Sequence, residues 1–473
     1  HAQLLTHSKA FCSCSAKFGA SPNTNICPVC LGMPGVLPVL NKKLLEYVVR
    51  MGIATDSAIA PRSVFARKHY WYPDLPKGYQ ISQFETPICS AGSVEIDLDD
   101  GSRKSIGITR IHLEEDAAKL IHDAATSIDF NRCGVPLIEI VSAPDLRSPK
   151  EASLFLQKIH HLVTYLGICD GNMEEGRFRC DANVSVRRKG EARFGTKTEL
   201  KNLNSFRNIQ RALEFEIRRQ TELLSQGQPV ARETLLWNAE RSRSSAMRTK
   251  EELRDYRYFP DPDLVPIVLD EAWIIAARAS AVEHPTVRRE RFVNDYGLPR
   301  SDADLLTSDK SYADYFEEVV RSLGDPASRD LVKLACNWVM TDVLRVVAER
   351  RVPIESLLIS PARLAALIVL IADGTVSGKI AKEVFANILS TNEDPASIVR
   401  RGNLLQLSDA AAIERAVDAV LGRSAGQVET YRAGNHKVFA FFVGEVMKET
   451  AGKANPSVLT AILVEKLSRR GPA

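Results

Sequence analysis

The sequence contains neither a long apolar run nor a marked excess of charge of one sign. Its 62 Lys and Arg side chains against 59 Asp and Glu leave a net charge of +3 at pH 7, so the overall charge indicates no nucleic-acid or membrane partner. The longest apolar stretch, around residues 364–372, is too short to span a bilayer. We therefore predict a protein that is not embedded in a membrane.

The sequence also shows neither the cysteine pattern of a disulfide framework nor the pattern of a signal peptide. The nine cysteines are an odd number, and five of them are scattered singly, which favours buried thiols in a reducing, intracellular compartment. The chain starts at His1 without a charged segment followed by an apolar one. We expect that natural residues upstream of His1 are missing.

Composition and length favour a globular protein of about three domains, since 45% of the residues are hydrophobic and 26% charged. Short alternating runs such as 93–97 and 182–186 predict strands in the first half. Residues 205–226 predict a long amphipathic helix, whose apolar face consists of Phe206, Ile209, Leu213, Ile217 and Thr221. From about residue 287 the pattern is helical, and Ser360 before Pro361 predicts the N-cap of one helix. We predict an α+β protein with a strand-rich mixed α/β domain (1–286), a helical domain (287–405) and a small helical tail domain (406–473).

Four cysteines form two closely spaced pairs. Cys12 and Cys14 are separated from Cys27 and Cys30 by twelve residues rich in turn formers. Two tight turns at this spacing bring four thiolates to one tetrahedral ion, and zinc is the best candidate. A closed shell of four sulfur ligands indicates a structural zinc. The alternative is four buried thiols in a core.

Two acidic features indicate a site for a hard cation. Glu114, Glu115 and Asp116 follow His112, and Glu139 lies inside the apolar run 136–141. An ionised carboxylate in such a run needs water, a cation or a hydrogen-bonded partner, and alternation alone leaves open that Glu139 faces solvent. Carboxylates suit Mg²⁺, and no Walker-type glycine loop is present, so an ATP site here is not a P-loop.

Several blocks resemble one family, the B subunits of the aspartyl/glutamyl-tRNA amidotransferases. Two of them are residues 27–35 (Cys-Pro-Val-Cys-Leu-Gly-Met-Pro-Gly) and 255–264 (Asp-Tyr-Arg-Tyr-Phe-Pro-Asp-Pro-Asp-Leu). The others span nearly the whole chain: 72–83, 111–116, 136–139, 179–185, 201–205 and 453–456.

The resemblance implies a cradle domain with a zinc lobe, a helical domain and a tail that grips tRNA. It also implies an ATP-dependent ligase that forms carbon–nitrogen bonds with glutamine as amido donor. In the family, ATP phosphorylates the side-chain carboxylate of mischarged Glu-tRNA(Gln) or Asp-tRNA(Asn), and ammonia from a partner amidase (A) subunit displaces the phosphate. A small (C) subunit stabilises the complex. We expect a cytoplasmic, bacterial-type protein, or an organellar matrix protein if the source is a eukaryote.

The resemblance also assigns residues. Magnesium ligands map onto His1, Glu114 or Glu115, and Glu139, and Lys77 joins the three acids as a catalytic candidate. In the family His1 ends a Gly-Leu-Glu-Val-His strand whose first four residues are absent here. Candidates for ATP or acceptor-stem contacts, each with a solvated or turn-stabilising role as the alternative, are Lys77, Arg179, Asp181, Asn183 and Lys201. Candidates for tRNA contacts in the tail, with an ordinary basic rim as the alternative, are Tyr431, Arg432, Asn435, His436, Lys437 and Lys453.

Two rival interpretations remain. One is a non-catalytic, zinc-containing protein that binds and presents tRNA. The other is the archaeal-type paralogue, which carries a large inserted domain for which residues 260–286 leave no room.

The charge of individual segments supports a site that holds both metal and phosphates. Residues 1–70 carry 8 basic and 2 acidic side chains, residues 83–145 carry 5 basic and 12 acidic ones, and residues 187–257 carry 17 basic and 10 acidic ones.

Overall fold

Alternating sequence runs in the first half of the chain form several small sheets. A computed structural model describes residues 1–122, 126–249, 256–324, 327–405 and 409–468, and divides the chain into two units, His1–His284 and Pro285–Ala473. The helices among the described residues of the first unit are α1 (Lys42–Ala54), α2 (Pro149–Tyr165), α3 (Phe206–Ser225) and α4 (Glu271–Ala279).

The strands of the first unit are β1 (Ala2–Gln3), β2 (Ala58–Ile59), β3 (Arg62–Ser63), β4 (Ala66–His69), β5 (Tyr79–Ser82), β6 (Cys89–Asp97), β7 (Arg103–Glu115), β8 (Lys119–His122), β9 (Thr126–Asp129), β10 (Pro136–Ser142), β11 (Cys180–Val184), β12 (Thr198–Leu203), β13 (Glu233–Asn238), β14 (Arg243–Thr249), β15 (Phe259–Pro260) and β16 (Ile267–Val268). The largest sheet has the antiparallel order β1-β10-β7-β6-β2. A four-stranded sheet, β11-β12-β13-β14, contains one parallel pair, β12 with β13. The smaller sheets are β15-β4-β5, β16-β3 and β8-β9.

Alternation positions the side chains of the large sheet. In β6, Val94 and Ile96 are buried while Ser93, Glu95 and Asp97 are exposed, as the period of two requires. At the end of β7 the alternation stops, and all four residues from His112 to Glu115 are buried. Both faces of β7 are therefore covered where the acidic run lies.

Helix α3 confirms the predicted amphipathic helix but buries a different stripe. Ser205 caps it by accepting from the main-chain N–H of Asn208. We predicted an apolar face that continues to Ile217 and Thr221, yet Thr221 is exposed and the buried residues continue to Glu216 and Gln220. The polar pair is buried because both side chains hydrogen-bond to Thr198 of β12.

The second unit is helical throughout its described residues. Its helices are α5 (Pro285–Asn294), α6 (Arg300–Leu306), α7 (Lys310–Ser322), α8 (Arg329–Trp338), α9 (Leu344–Arg350), α10 (Pro361–Ala372), α11 (Gly378–Ile388), α12 (Pro395–Arg401), α13 (Ala410–Arg423), α14 (Ala425–Arg432), α15 (Phe439–Glu449) and α16 (Pro456–Ser468). A π-helical turn (Val339–Val343) joins α8 to α9, and 3₁₀ turns cover Ile354–Ser356 and His436–Val438. Ser360 caps α10 ahead of Pro361, as predicted.

Two hydrophobic cores lie within the second unit. One includes buried residues from Phe292 to Val399, and the other includes residues from Ile413 to Leu467. The predicted boundary between helical domain and tail falls at residues 405 and 406, and residue 406 lies outside the described residues. The three-domain division stays a prediction. Nowhere in the described ranges is a helix long and apolar enough to cross a membrane.

Candidate functional site

Strand pairing brings the two acidic features of the sequence together. β10 lies antiparallel to β7 so that Glu139 is directly opposite His112. Because side chains alternate along a strand, Glu114 shares the face of His112. β1 pairs with the other edge of β10, where Ala2 lies opposite Ile138, and this places His1 beside Glu139. Three strands thus contribute one side-chain cluster.

We call His1, His112, Glu114 and Glu139 the carboxylate–histidine cluster. His1 Nε2 lies 3.4 Å from Glu139 Oε2, and His112 Nε2 lies 3.1 Å from Glu114 Oε1 and 3.4 Å from Glu139 Oε2. One ligand atom each from His1, Glu114 and Glu139 lie within 4.8 Å of one another. The two carboxylates offer the oxygen ligands that a small divalent cation such as Mg²⁺ takes, and the imidazole offers a third, nitrogen ligand.

The cluster is electrostatically coupled. Burial raises the pKa of Glu139, but hydrogen bonds from His1 and His112 lower it far more, to well below its ordinary value. Burial lowers the pKa of His112, yet the hydrogen bonds and charges of Glu114 and Glu139 raise it to about 8. The pKa of Glu114 falls too, because His112 outweighs the effect of burial. Both carboxylates are therefore held ionised by the neighbouring imidazoles.

Neighbouring strand β5 orients the Glu114 carboxylate. Ser82 Oγ donates to Glu114 Oε1 at 2.8 Å, and Gln80 Nε2 donates to Glu114 Oε2 at 3.3 Å. His112 was not predicted as a site residue, although its two-residue spacing from Glu114 places both on one strand face. That spacing is the signal that identifies it. On β7 the side chains of Glu114 and Glu115 then face opposite ways.

Glu115 and Lys77 form a separate buried pair. Lys77 Nζ is in close contact with Glu115 Oε1, which also accepts from the Ile81 main-chain N–H at 2.9 Å. Both residues line a small pocket of about 120 Å³, and its other walls include Cys12 and Cys30. The candidates Lys77 and Glu115 therefore lie next to the segment that carries the four paired cysteines, which we call the cysteine lobe (residues 8–35). Of the acidic run, Glu114 is the residue that belongs to the carboxylate–histidine cluster.

The Lys77→Met variant is expected to lower the free energy of unfolding by about 3 kcal/mol, because it leaves the Glu115 carboxylate buried without its cation. Adding Glu115→Gln to Lys77→Met is expected to restore part of that loss. Urea denaturation of the full chain measures both effects. Lys43→Met is the control, since Lys43 is 45% exposed in its pair with Glu46 and is expected to cost less than about 1 kcal/mol. Equal effects at Lys77 and Lys43 would contradict this account.

A large groove begins next to the carboxylate–histidine cluster. Its volume is about 1130 Å³, and the Arg179 main-chain N–H, at its wall, donates to the His1 carbonyl oxygen at 2.9 Å. Arg179 Nη2 also pairs with the buried Asp116 at 2.9 Å. The groove is lined by side chains of both signs. The cationic ones are Lys17, Lys119, Arg132, Arg177 and Arg179, and the acidic ones are Asp129, Glu174, Glu175 and Asp181.

Of the remaining candidates for ATP or acceptor-stem contacts, some line this groove and others do not. Asp181 lines it, and Lys201 Nζ reaches it indirectly through an ion pair with Asp181 Oδ2 at 3.0 Å. Asn183 is exposed on β11, two residues beyond Asp181, and is not among the groove-lining residues described. Lys77 lies in the other pocket. The five candidates therefore do not share one surface.

The four paired cysteines converge as their spacing predicts. Their Sγ atoms lie within 4.8 Å of one another. An isolated bridge between Ser8 and Ser15 closes the loop that carries the first pair, and the Cys27 main-chain N–H donates to Cys30 Sγ at 3.2 Å. The hydrogen bond between Cys12 and Cys30 lowers the pKa of the Cys30 thiol and raises that of the Cys12 thiol, because the two sulfurs are close enough to share a proton. Four convergent sulfurs fit the ligand set of zinc.

In the tail, most tRNA candidates lie at one turn. Tyr431 and Arg432 end α14, and Asn435, His436 and Lys437 follow in the loop and 3₁₀ turn before α15. The Tyr431 ring lies 5.0 Å from the His436 ring. Lys453 stands apart in sequence, half-buried in the loop between α15 and α16.

Both halves of the chain match domains of known proteins. Residues 1–275 match the GatB/GatE catalytic domain, and residues 314–467 match the GatB domain. The B subunit of the aspartyl/glutamyl-tRNA(Asn/Gln) amidotransferase of Chlorobium phaeobacteroides (strain BS1) is 54% identical over 469 residues, 99% of this chain and 97% of that protein. The B subunit of the same enzyme from Geobacter sulfurreducens is 53% identical over 473 residues, again 99% and 97%. This chain therefore belongs to the family of aspartyl/glutamyl-tRNA(Asn/Gln) amidotransferase B subunits.

Proposed function

We propose that the chain is the phosphorylating and amidating component of a glutamine-dependent tRNA amidotransferase, a carbon–nitrogen ligase that serves translation. Its substrates are Glu-tRNA(Gln) and Asp-tRNA(Asn), and its products are Gln-tRNA(Gln) and Asn-tRNA(Asn). The observation that carries the proposal is the carboxylate–histidine cluster beside a groove lined by five cationic side chains. A cation site next to a groove that offers Lys and Arg side chains suits a reaction that handles ATP and nucleic acid together.

The chemistry needs two displacements. A carboxylate resists attack by ammonia because oxide is a poor leaving group, so the side chain first attacks the γ-phosphate of ATP and ADP leaves. Ammonia then attacks the acyl phosphate, inorganic phosphate leaves, and the amide forms. Magnesium, when bound, neutralises charge on the phosphate oxygens. His1, Glu114 and Glu139 would hold it, while Ser82 and Gln80 keep the Glu114 carboxylate oriented.

Partners and the second metal follow from the same assignment. Ammonia comes from the amidase (A) subunit, and the small (C) subunit completes a heterotrimer in the cytoplasm. A structural zinc on Cys12, Cys14, Cys27 and Cys30 holds the lobe that they form. Among the binding candidates, Arg179 and Asp181 line the groove and suit contacts to ATP or the acceptor stem. The non-catalytic alternative gains no support, because the matched domain is a catalytic one.

Reconstitution tests the proposal directly. The chain is co-expressed with its amidase and small partner subunits, and Asn and Gln formation is assayed on mischarged tRNAs with and without ATP. Amide formation that requires this chain and ATP is the expected result. Amide formation without the chain would overturn the proposal.

Binding of tRNA is expected to weaken steeply with salt if the tail contacts phosphates. Lys437, exposed at the turn after α14, is the test position. Lys437→Ala is expected to reduce the slope of log affinity against log salt by about one. The control is Lys448→Ala in the same tail, since that ammonium is 77% exposed and engaged with Glu445 at 2.7 Å. Salt-independent binding of tRNA by the full chain would contradict a phosphate contact here.

A further inference from the structure

Lys9 is a fully buried cation next to the cysteine lobe. Its exposed fraction is 0%, and it ranks among the largest completely buried side chains of the described residues. Its Nζ donates to Cys30 Sγ at 3.5 Å and to the Phe130 carbonyl oxygen at 3.3 Å. A buried ammonium is strongly disfavoured unless an anion compensates it.

The compensating anion is not a carboxylate. Within the described ranges Lys9 makes no ion pair with Asp or Glu, although Glu115 shares its pocket. That carboxylate is engaged by Lys77 and by the Ile81 main-chain N–H. The side-chain atom to which Lys9 donates is the sulfur of Cys30, which supplies the compensating charge when it is a thiolate.

Close packing keeps the ammonium against this sulfur. Gly134 has a φ of +82°, and a Cβ built there would lie 3.5 Å from Lys9 Cδ and 3.6 Å from Cys30 Cβ. These are ordinary contact distances, so the positive φ is what favours glycine here, and the backbone of residue 134 lies beside both side chains. Cys133, the preceding residue, donates from its Sγ to the Cys30 carbonyl oxygen at 3.3 Å.

We propose that Lys9 is a positioning residue for the zinc site, whose ammonium hydrogen-bonds the Cys30 thiolate and neutralises part of the charge of the metal–sulfur centre. Four thiolates and one Zn²⁺ carry a net charge of −2, and an adjacent ammonium reduces the total to −1. Outer partners of this kind fix the orientation of a metal ligand and tune the metal. The inference rests on the proposed zinc site and adds to it a residue that the cysteine spacing does not reveal.

Zinc transfer to a chromogenic chelator tests the proposal on the purified full chain. Lys9→Met keeps the length of the side chain and removes its charge and its donors. We expect this variant to bind zinc about 10- to 100-fold more weakly than the parent chain. The matched control is Lys17→Met, because Lys17 belongs to the same lobe but is exposed. Zinc affinity in Lys9→Met equal to that of the parent would overturn the proposal.

Cobalt substitution separates a hydrogen bond to sulfur from mere packing. A hydrogen bond lowers the energy of the sulfur lone pairs, so its loss should move the sulfur-to-cobalt charge-transfer band to lower energy. We expect that shift in Lys9→Met and a smaller one in Lys9→Gln, which keeps a neutral donor. An unchanged band in both variants would reject the proposal. If Lys9→Met does not fold, the charge-transfer band and the zinc affinity of Lys9→Gln test the proposal instead.

The parent chain distinguishes the two levels of inference. If the parent binds no zinc or cobalt in stoichiometric amount, the proposed zinc site fails and Lys9 fails with it. If the parent binds metal and the Lys9 variants match it in affinity and spectrum, only the role of Lys9 fails.

Discussion

The Glu139→Gln variant is expected to lose ATP-dependent amide formation by about a thousandfold, the scale of losing a group that stabilises phosphoryl-transfer charge. Glutamine keeps the shape of the side chain but removes a negative charge from the carboxylate–histidine cluster. The proposed cation then loses one of its two carboxylates. The measurement is amide formation on mischarged tRNA with ammonium salt as nitrogen source, so that the amidase partner does not limit the rate.

Binding of tRNA separates this effect from general damage. Glu139 belongs to the cluster and neither lines the large groove nor lies in the tail, so we expect the affinity of the variant for tRNA to be nearly unchanged. Glu95→Gln in β6 is the matched control, since it makes the same substitution in the same sheet at an exposed position. Full activity in Glu139→Gln would remove the cluster from the reaction and favour a protein that only presents tRNA.

Removal of one zinc ligand is expected to have the second large effect. Cys27→Ser should abolish stoichiometric zinc binding and release the lobe that contains the four cysteines. Most side chains between Cys14 and Cys27 are exposed, so little apolar burial replaces the metal there. Structural zinc sites contribute about 10 kcal/mol or more to folding in small domains. Metal analysis and limited proteolysis of the full chain measure the two consequences.

A buried cysteine outside the lobe provides the control. Cys169 Sγ lies 3.7 Å from the Arg177 carbonyl oxygen, so Cys169→Ser keeps a hydrogen-bond donor at the same place. We expect this variant to retain zinc and to resist proteolysis like the parent. Chelation of the parent should expose the same cleavage sites as Cys27→Ser. Stoichiometric zinc in Cys27→Ser would mean that the four thiols are not a metal site.

Local sequence patterns predicted several helices and strands and the cysteine cluster. The helix after Ser205, the cap at Ser360 and the strand around Glu139 follow from neighbouring residues, because caps and periodicity act over a few positions. The spacing of the cysteines predicted their convergence for the same reason, since each pair lies on one short turn. Long motif blocks identified the family, because a resemblance needs no contact between distant residues.

Other features depended on strand register, which joins residues far apart in sequence. Glu114 and Glu115 are adjacent and look equivalent in sequence. Because side chains alternate along β7, Glu114 lies in the carboxylate–histidine cluster and Glu115 contacts Lys77. His112 joins the cluster only because β10 places Glu139 opposite it. Lys9 resembles any surface lysine until the packing around Cys30 buries it.

The sequence alone therefore determined the family, several of the helices and strands, and the residue types able to bind metals. The tertiary structure decided which of those residues meet, because opposite faces of one strand and partners across a sheet are set by register and packing. Neither is encoded in any single stretch of the chain.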